Sequence, residues 1–231
     1  MKMAIIAAGE GSRLREEGIL TPKPLIRLKG ETLLMRHIRR AAKHGFSSVA
    51  IIVNAIYPEL EEYLETTQFP LPLEKIVKTT PGSMHSFYEL RNFLRDEPFL
   101  LTTVDPVFRE DAFSRYIQSI RQHPDACGVM ALTAFVDDEK PLWVTTDENM
   151  KILSYSSQKG NAQWVSAGFY FFSPAVIPLL EAAMEAGLMR MRAFQQYLLE
   201  KGCLLVGCDV GKVIDIDHAD DIVKAEALID N

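Results

Sequence analysis

Gly9, Gly11, Arg13 and Lys23 have the types and spacing to hold a polyphosphate. The two glycines follow the apolar run Met3-Ala4-Ile5-Ile6-Ala7-Ala8. A backbone without Cβ atoms can turn sharply there and approach a ligand closely. The N–H groups of such a turn form a concavity for anions. Arg13 adds a planar fork of donors suited to phosphate oxygens. Lys23 stands in Pro22-Lys23-Pro24, where two fixed φ angles keep the segment extended and aim a compact positive charge. Two other glycine-loop chemistries do not fit. A dinucleotide fingerprint needs glycine where Leu14 stands and an acidic residue closing the second strand, whereas Glu31 follows Gly30 and opens a helix. A P-loop needs Gly-Lys-Ser/Thr after its glycines, and none follows.

These groups need a rigid frame, and the first half of the chain alternates strand and helix signals. The Met3–Ala8 run reads as a strand buried on both faces of a parallel sheet. Glu31 to His44 carries Leu34, Ile38, Ala41 and Ala42 on one helical face, with Gly45 as its stop. Arg36, Arg39, Arg40 and Lys43 of that helix read as a solvated basic face. Val49–Val53 is a second buried strand, Pro58–Leu64 a short helix and Leu73–Val77 a third strand. Ser83 reads as the N-cap of a helix reaching Leu94, with Phe87, Leu90 and Leu94 as its stripe. Phe99–Val104 is a fourth strand, followed by a helix over Asp111–Gln122 and a strand over Gly128–Ala134. This alternation predicts a three-layer α/β/α arrangement around a mostly parallel sheet. The second half differs. Leu142–Thr146, Ile152–Tyr155 and Val165–Phe172 are strand-like and separated by turn signals, which suggests an antiparallel extension. Helices near Ala175–Ala186 and Met191–Lys201, a strand at Leu204–Val206 and a terminal helix ending at Ile229 complete the chain. No repeat or linker divides it. A single domain over residues 1–231 is expected, with residues 1–135 and 136–231 as its two lobes.

Composition narrows the function classes. A chain of 231 residues can bury a full core, and 48% hydrophobic with 24% charged residues is ordinary for a globular protein. A formal charge of −6 argues against a general nucleic-acid surface, which needs a basic footprint. A local Arg/Lys pocket can still take phosphate. Cys127, Cys203 and Cys208 are odd in number, lack C-x-x-C spacing and read as reduced core thiols. No apolar run approaches the ~18 residues of a membrane span. The N-terminal run is also shorter than a signal peptide's hydrophobic region and leads into Glu10 and Arg13. The expected location is the cytoplasm, with no membrane or nucleic-acid partner; the oligomeric state is not legible.

Ala7-Ala8-Gly9-Glu10-Gly11-Ser12-Arg13-Leu14, followed by Pro22-Lys23-Pro24-Leu25, resembles the two linked fingerprints of the nucleotidyltransferases that make nucleoside-diphosphate sugars and related activated compounds. The resemblance implies a glycosyltransferase-A-like fold. It also implies transfer of NMP from a nucleoside triphosphate to a phosphorylated small-molecule acceptor, a sugar phosphate first of all, with release of pyrophosphate. That chemistry needs no protein nucleophile. It needs positioning, cations around the phosphates, and Mg²⁺ held by one or two carboxylates. Nucleotide contacts are implied for Ala8, Gly9, Gly11, Ser12, Gly82 and Ser83, with Arg13 on the triphosphate and Lys23 near the α-phosphate as the catalytic pair.

The metal and acceptor positions follow from the same resemblance. Asp105 ends the Phe99–Val104 strand, where ligands of open α/β sheets bind. It matches the family's metal-binding aspartate, with Val104 where a glycine is usual. Val213-Ile214-Asp215-Ile216-Asp217-His218 resembles the family's closing segment. Asp215 and Asp217 share one face of an extended chain, so either can be the second metal ligand. Asp217 can equally cap the terminal helix. Gln158-Lys159 falls where many relatives carry Glu-Lys, which makes Lys159 the implied clamp on the acceptor phosphate. Ser166-Ala167-Gly168-Phe169-Tyr170 resembles their Asn-Ala-Gly-aromatic segment, with Gly168 and Tyr170 toward the acceptor. Gln158 in place of glutamate keeps a second enzyme reading open, a cytidylyltransferase acting on phosphocholine or another phospho-alcohol. A catalytically inactive nucleotide-sugar-binding regulator is the rival outside enzymes. Val104 and Gln158 support that rival; Arg13, Lys23 and Asp105 count against it.

Overall fold

The computed structural model describes residues 1–137 and 139–230. Strand β1 (Lys2–Ala7) runs into the glycine loop and the short helix α1 (Ser12–Glu16). A 3₁₀ turn at Lys23–Leu25 and a small hairpin, β2 (Arg27–Leu28) with β3 (Glu31–Thr32), lead to α2 (Leu33–Lys43). Next come β4 (Val49–Val53), α3 (Pro58–Thr66), β5 (Leu73–Val77), α4 (Ser83–Leu94) and β6 (Phe99–Thr103). Then follow β7 (Pro106–Phe108), α5 (Glu110–Gln122) and β8 (Gly128–Thr133). The second half holds β9 (Trp143–Thr146), β10 (Ile152–Ser156), β11 (Trp164–Phe172) and α6 (Val176–Glu185). It ends with α7 (Met191–Glu200), β12 (Leu205–Asp209), β13 (Val213–Asp215) and α8 (Ala219–Ile229).

The order β5-β4-β1-β6 is parallel throughout. Strand β11 pairs antiparallel with β6 along one edge and with β8 along the other, and β12 joins β8 in parallel. The β9–β10 hairpin continues the antiparallel side, as the turn-rich second half suggests. A strand from the second half therefore lies between two strands of the first, and both halves share one sheet.

Alternation along β1 builds the two cores, because successive side chains of a strand point to opposite faces. Met3, Ile5 and Ala7 pack in a core that includes Leu34 and Ile38 of α2 and Phe113 of α5. Ala4, Ile6 and Ala8 pack with Phe87 of α4, Leu180 of α6 and Phe194 of α7. These are the three layers expected from the sequence. Cys127, Cys203 and Cys208 are free and half-buried, packed against the cores rather than within them. No helix among the described residues is long and apolar enough to cross a membrane.

Three local readings change. Glu31 does not open a helix: it pairs in the β2–β3 hairpin, and Thr32 caps α2 by accepting from the Met35 N–H at 3.1 Å. Ser83 is the first residue of α4, and Gly82 takes the cap position without a side-chain bond. Arg40, on the face read as solvated, is only 5% exposed. Its guanidinium lies 4.2 Å from the centre of the Phe108 ring and donates to Glu110 and to the Phe108 carbonyl. The partners come from β7 and α5, which the periodicity of α2 cannot reveal. Arg36 and Arg39 both pair with Glu31.

Candidate active site

Strands β1, β4 and β6 end side by side, and their exits line a cavity of about 370 Å³ with Gly9, Gly11, Lys23, Gly82, Ser83 and Asp105. Gly11 has φ +61° and turns the chain into α1, while a Cβ at Gly9 would meet nothing, leaving room for a ligand. The loop is fastened from outside. Asn54 donates through Nδ2 to the Ala8 carbonyl at 2.9 Å. Its Oδ1 accepts from the Ile56 N–H at 3.2 Å and the Thr79 hydroxyl at 2.6 Å. The Tyr57 hydroxyl donates to the Glu10 carbonyl. Asn54 is not among the residues expected from sequence. Its position directly after the apolar β4 run is the signal that marks it, since strand ends carry the ligands of such sheets.

The charged groups meet at one point. Lys23 Nζ lies 3.0 Å from Asp105 Oδ2 and 2.7 Å from Asp217 Oδ1. Arg13 Nη1 reaches the other Asp217 oxygen at 2.9 Å. Pairing of β7 with β13 sets Asp215 opposite Pro106, and the Ile216 N–H donates to the Asp105 carbonyl at 3.2 Å. Burial pushes the Asp105 carboxyl up, but the Lys23 ammonium and hydrogen bonds from Thr103, Lys23 and the backbone together hold the group below its ordinary range. Burial likewise pulls Lys23 down, and the two carboxylates more than reverse it.

The neighbours of this charge cluster fix the cap of α8 and the surroundings of Val104. Asp217 does not cap α8: His218 takes that place, and the Asp221 carboxylate accepts the N–H groups of both Asp217 and His218. Val104, where a glycine is usual, belongs to the core and is 4% exposed. Its carbonyl lies 3.2 Å from His37 Nε2. A carbonyl only accepts, so a neutral His37 carries its proton on Nε2. Burial and the nearby Arg40 push the His37 imidazole down to about 3.

A second cavity, about 430 Å³, adjoins the first over Ile6, Ser83 and Thr103. Ser166, Gly168, Tyr170 and Asp215 line it, and so does Gln195, which sequence reasoning missed. Gly168 has φ +81° at an irregularity in the β11–β8 register between Ser166 and Tyr170, a conformation that only glycine takes easily. Lys159 lies elsewhere. It is exposed, with its Nζ 5.4 Å from the centre of the Trp143 ring, and lines neither cavity. Arg13 faces an acidic recess shared with Glu139 and Asp217, and Ser12 is exposed at the start of α1. Ser83 falls where the two cavities meet, and Gly82 lines the first.

Residues 3–198 match the family model of the MobA-like NTP transferase domain. The chain belongs to this family. It is similar to the mannose-1-phosphate guanylyltransferase catalytic subunit beta of Dictyostelium discoideum, at 24% identity over 78% of this chain and 52% of the relative. It is also similar to a UTP–glucose-1-phosphate uridylyltransferase of Synechocystis sp., at 23% identity over 80% of this chain and 52% of the relative. The chain thus spans about half the length of the curated relatives it matches. Among solved structures, the inositol-1-phosphate CTP transferase of T. maritima superposes with a TM-score of 0.81 at 20% identity, covering 100% of this chain and 96% of that one. At that identity the likeness is one of fold, and the nucleotidyltransferase fold expected from the sequence is the one found.

Proposed function

We propose that the chain transfers a nucleoside monophosphate from an NTP to a phosphorylated small-molecule acceptor, a sugar phosphate, and releases pyrophosphate. The observation that carries this reading is the convergence of Asp105 and Asp217 on a single cation beside the glycine loop. The Lys23 ammonium between them stands in for a metal and marks a point where two carboxylates favour positive charge. That donor set suits Mg²⁺, which takes one or two carboxylates and fills its remaining positions with water and phosphate oxygens. Asp105 and Asp217 would hold it, and Mg²⁺ bound there would offset the phosphate charge.

The chain's own groups divide the remaining work. The turn at Gly9–Gly11 presents backbone N–H groups to the triphosphate. Lys23 lies at the edge of the same cavity, where its ammonium can stabilise charge that grows during transfer. Arg13 approaches through Asp217 and supplies a second cation. The adjoining cavity opens onto the nucleotide side at Ser83 and Thr103, so an acceptor held there meets the nucleotide without any protein nucleophile. Residues 1–135 supply the nucleotide side; residues 136–231 supply much of the acceptor side, together with Asp217. The three unpaired thiols favour a reducing compartment, the cytoplasm.

Guanylyl and uridylyl transfer to sugar 1-phosphates, named for the relatives, supports the sugar-phosphate acceptor. The inositol-1-phosphate CTP transferase supports a cyclitol phosphate as the second reading. The test is a grid of NTPs against sugar 1-phosphates and phospho-alcohols with Mg²⁺, read by pyrophosphate release and product mass. One productive pair, with the mass of a nucleoside-diphosphate-linked product, is expected. No pyrophosphate from any pair would overturn the reading.

A further inference from the structure

The acceptor cavity contains a polar group that the folded chain leaves unmet. Gln195, within α7, is 0% exposed. Neither its Nε2 nor its Oε1 has a partner of acceptable hydrogen-bond geometry, although the Tyr170 hydroxyl stands beside it. Both side chains line the cavity. An unmet buried amide costs about 1–3 kcal/mol. Folded proteins rarely carry such a group without a use for it. Burial raises the pKa of Tyr170, which keeps its hydroxyl a neutral donor and acceptor.

The rim of the cavity is prepared for negative charge. Arg190 occupies the cap position of α7 and Arg192 its first turn, a turn with no acidic residue and no side-chain cap. Neither guanidinium has an acidic partner among the described residues; Arg192 donates to the Lys140 carbonyl at 3.3 Å. An uncapped helix N-terminus between two arginines attracts an anion. This end of α7 is also tied to the nucleotide side. A Cβ on Gly82 would come within 3.1 Å of the Met189 carbonyl, so the approaches to α4 and α7 pack directly together.

We propose that Gln195 reads a hydroxyl of the acceptor's body while Arg190, Arg192 and the α7 N-terminus hold its charge, so that the acceptor is a polyhydroxylated phosphate rather than a quaternary ammonium phospho-alcohol. The proposal rests on the nucleotidyltransferase reading and adds to it the residue that selects the acceptor. An amide offers one donor group and one acceptor, which a single hydroxyl can satisfy together with Tyr170. A trimethylammonium group offers neither, and among the described residues Arg190 and Arg192 outnumber the one carboxylate lining the cavity, Asp215. Its recognition calls for an aromatic cage, and Tyr170 is the one aromatic side chain lining this cavity among the described residues.

The test is Gln195→Leu, which keeps the approximate size and removes the amide. The variant should resist urea as well as the parent or better, because an unmet polar group is gone. Its apparent KM for the acceptor should rise about 10- to 100-fold. NTP affinity, measured by equilibrium binding, should not change. An unaltered acceptor KM overturns the proposal. A loss of stability shared by Gln195→Leu and Gln195→Met, with NTP affinity falling alongside, overturns it too by making Gln195 structural. A parent that turns over phosphocholine and no sugar or cyclitol phosphate defeats this inference while leaving nucleotidyl transfer intact. A parent that releases no pyrophosphate with any acceptor defeats the reading beneath it.

Discussion

Lys23 sits where the Asp105 and Asp217 carboxylates meet, and those carboxylates hold its pKa above the ordinary lysine value despite burial. It therefore stays charged at neutral pH and can act as an electrostatic donor. Lys23→Ala should retain the fold by circular dichroism and lose about 10²–10³ in kcat, or roughly 3–4 kcal/mol of transition-state stabilisation. Parent-like turnover at saturating substrates would remove Lys23 from the mechanism. The neighbouring aspartates make a second test. Asp217→Asn should raise the Mg²⁺ concentration needed for half-maximal turnover. Asp215→Asn, which lines the acceptor cavity, should act on acceptor KM instead. The opposite pattern in a Mg²⁺ titration would move the ligand role to Asp215. Sequence places Arg13, Lys23 and Asp105 because each stands in a short local pattern. It cannot choose between Asp215 and Asp217, which share one face of an extended segment; the contact of Asp217 to Lys23 across the fold is what supports Asp217 as the proposed ligand. Gln195 reads as an ordinary polar helix residue until its burial and lack of a partner are visible.

Strand and helix identities were largely legible, because buried strands such as Val49–Val53 and Gly128–Thr133 are near-continuous apolar runs. The pairing of β7 with β13 was not. Each is three residues long, too short for a periodic signal, and they lie far apart in the chain. That small ladder nevertheless brings Asp217 to Asp105. The cap of α4 was also misplaced by one residue, since Ser83 has the better side chain for the role but Gly82 stands in the extended position. In β11, Gly168 aligns Ser166 and Tyr170 along the acceptor cavity by turning the backbone at φ +81°. Gly168→Ala should therefore cost about 1–2 kcal/mol of stability in urea unfolding and raise acceptor KM. Unchanged stability and kinetics would show that the irregularity in β11 needs no glycine.

Across the whole molecule, stability carries a pH signature from His37, which lies beneath the Asp105 loop and bonds the Val104 carbonyl. Its folded pKa falls to about 3 from an ordinary value of 6.5. The unfolded chain therefore binds more protons within that window, and stability falls as pH drops below 6.5, with the full contribution present above it. Between pH 7 and pH 5 the parent should lose about 2 kcal/mol more than His37→Leu in urea titrations. Parallel losses in both proteins would contradict a neutral, buried imidazole. The molecule as a whole is acidic at −6, yet Lys140, Arg190 and Arg192 outnumber Asp215 around the acceptor cavity, a local reversal suited to phosphorylated ligands. The most direct measurement follows the two ends of one labelled nucleotide in the presence of Mg²⁺ and a sugar or cyclitol phosphate. Label in the α-phosphate should appear in a nucleoside-diphosphate-linked product, and label in the γ-phosphate should appear in pyrophosphate. Transfer of the γ-label to the acceptor, or its release as inorganic phosphate while the α-label stays in a nucleoside diphosphate, would contradict nucleotidyl transfer.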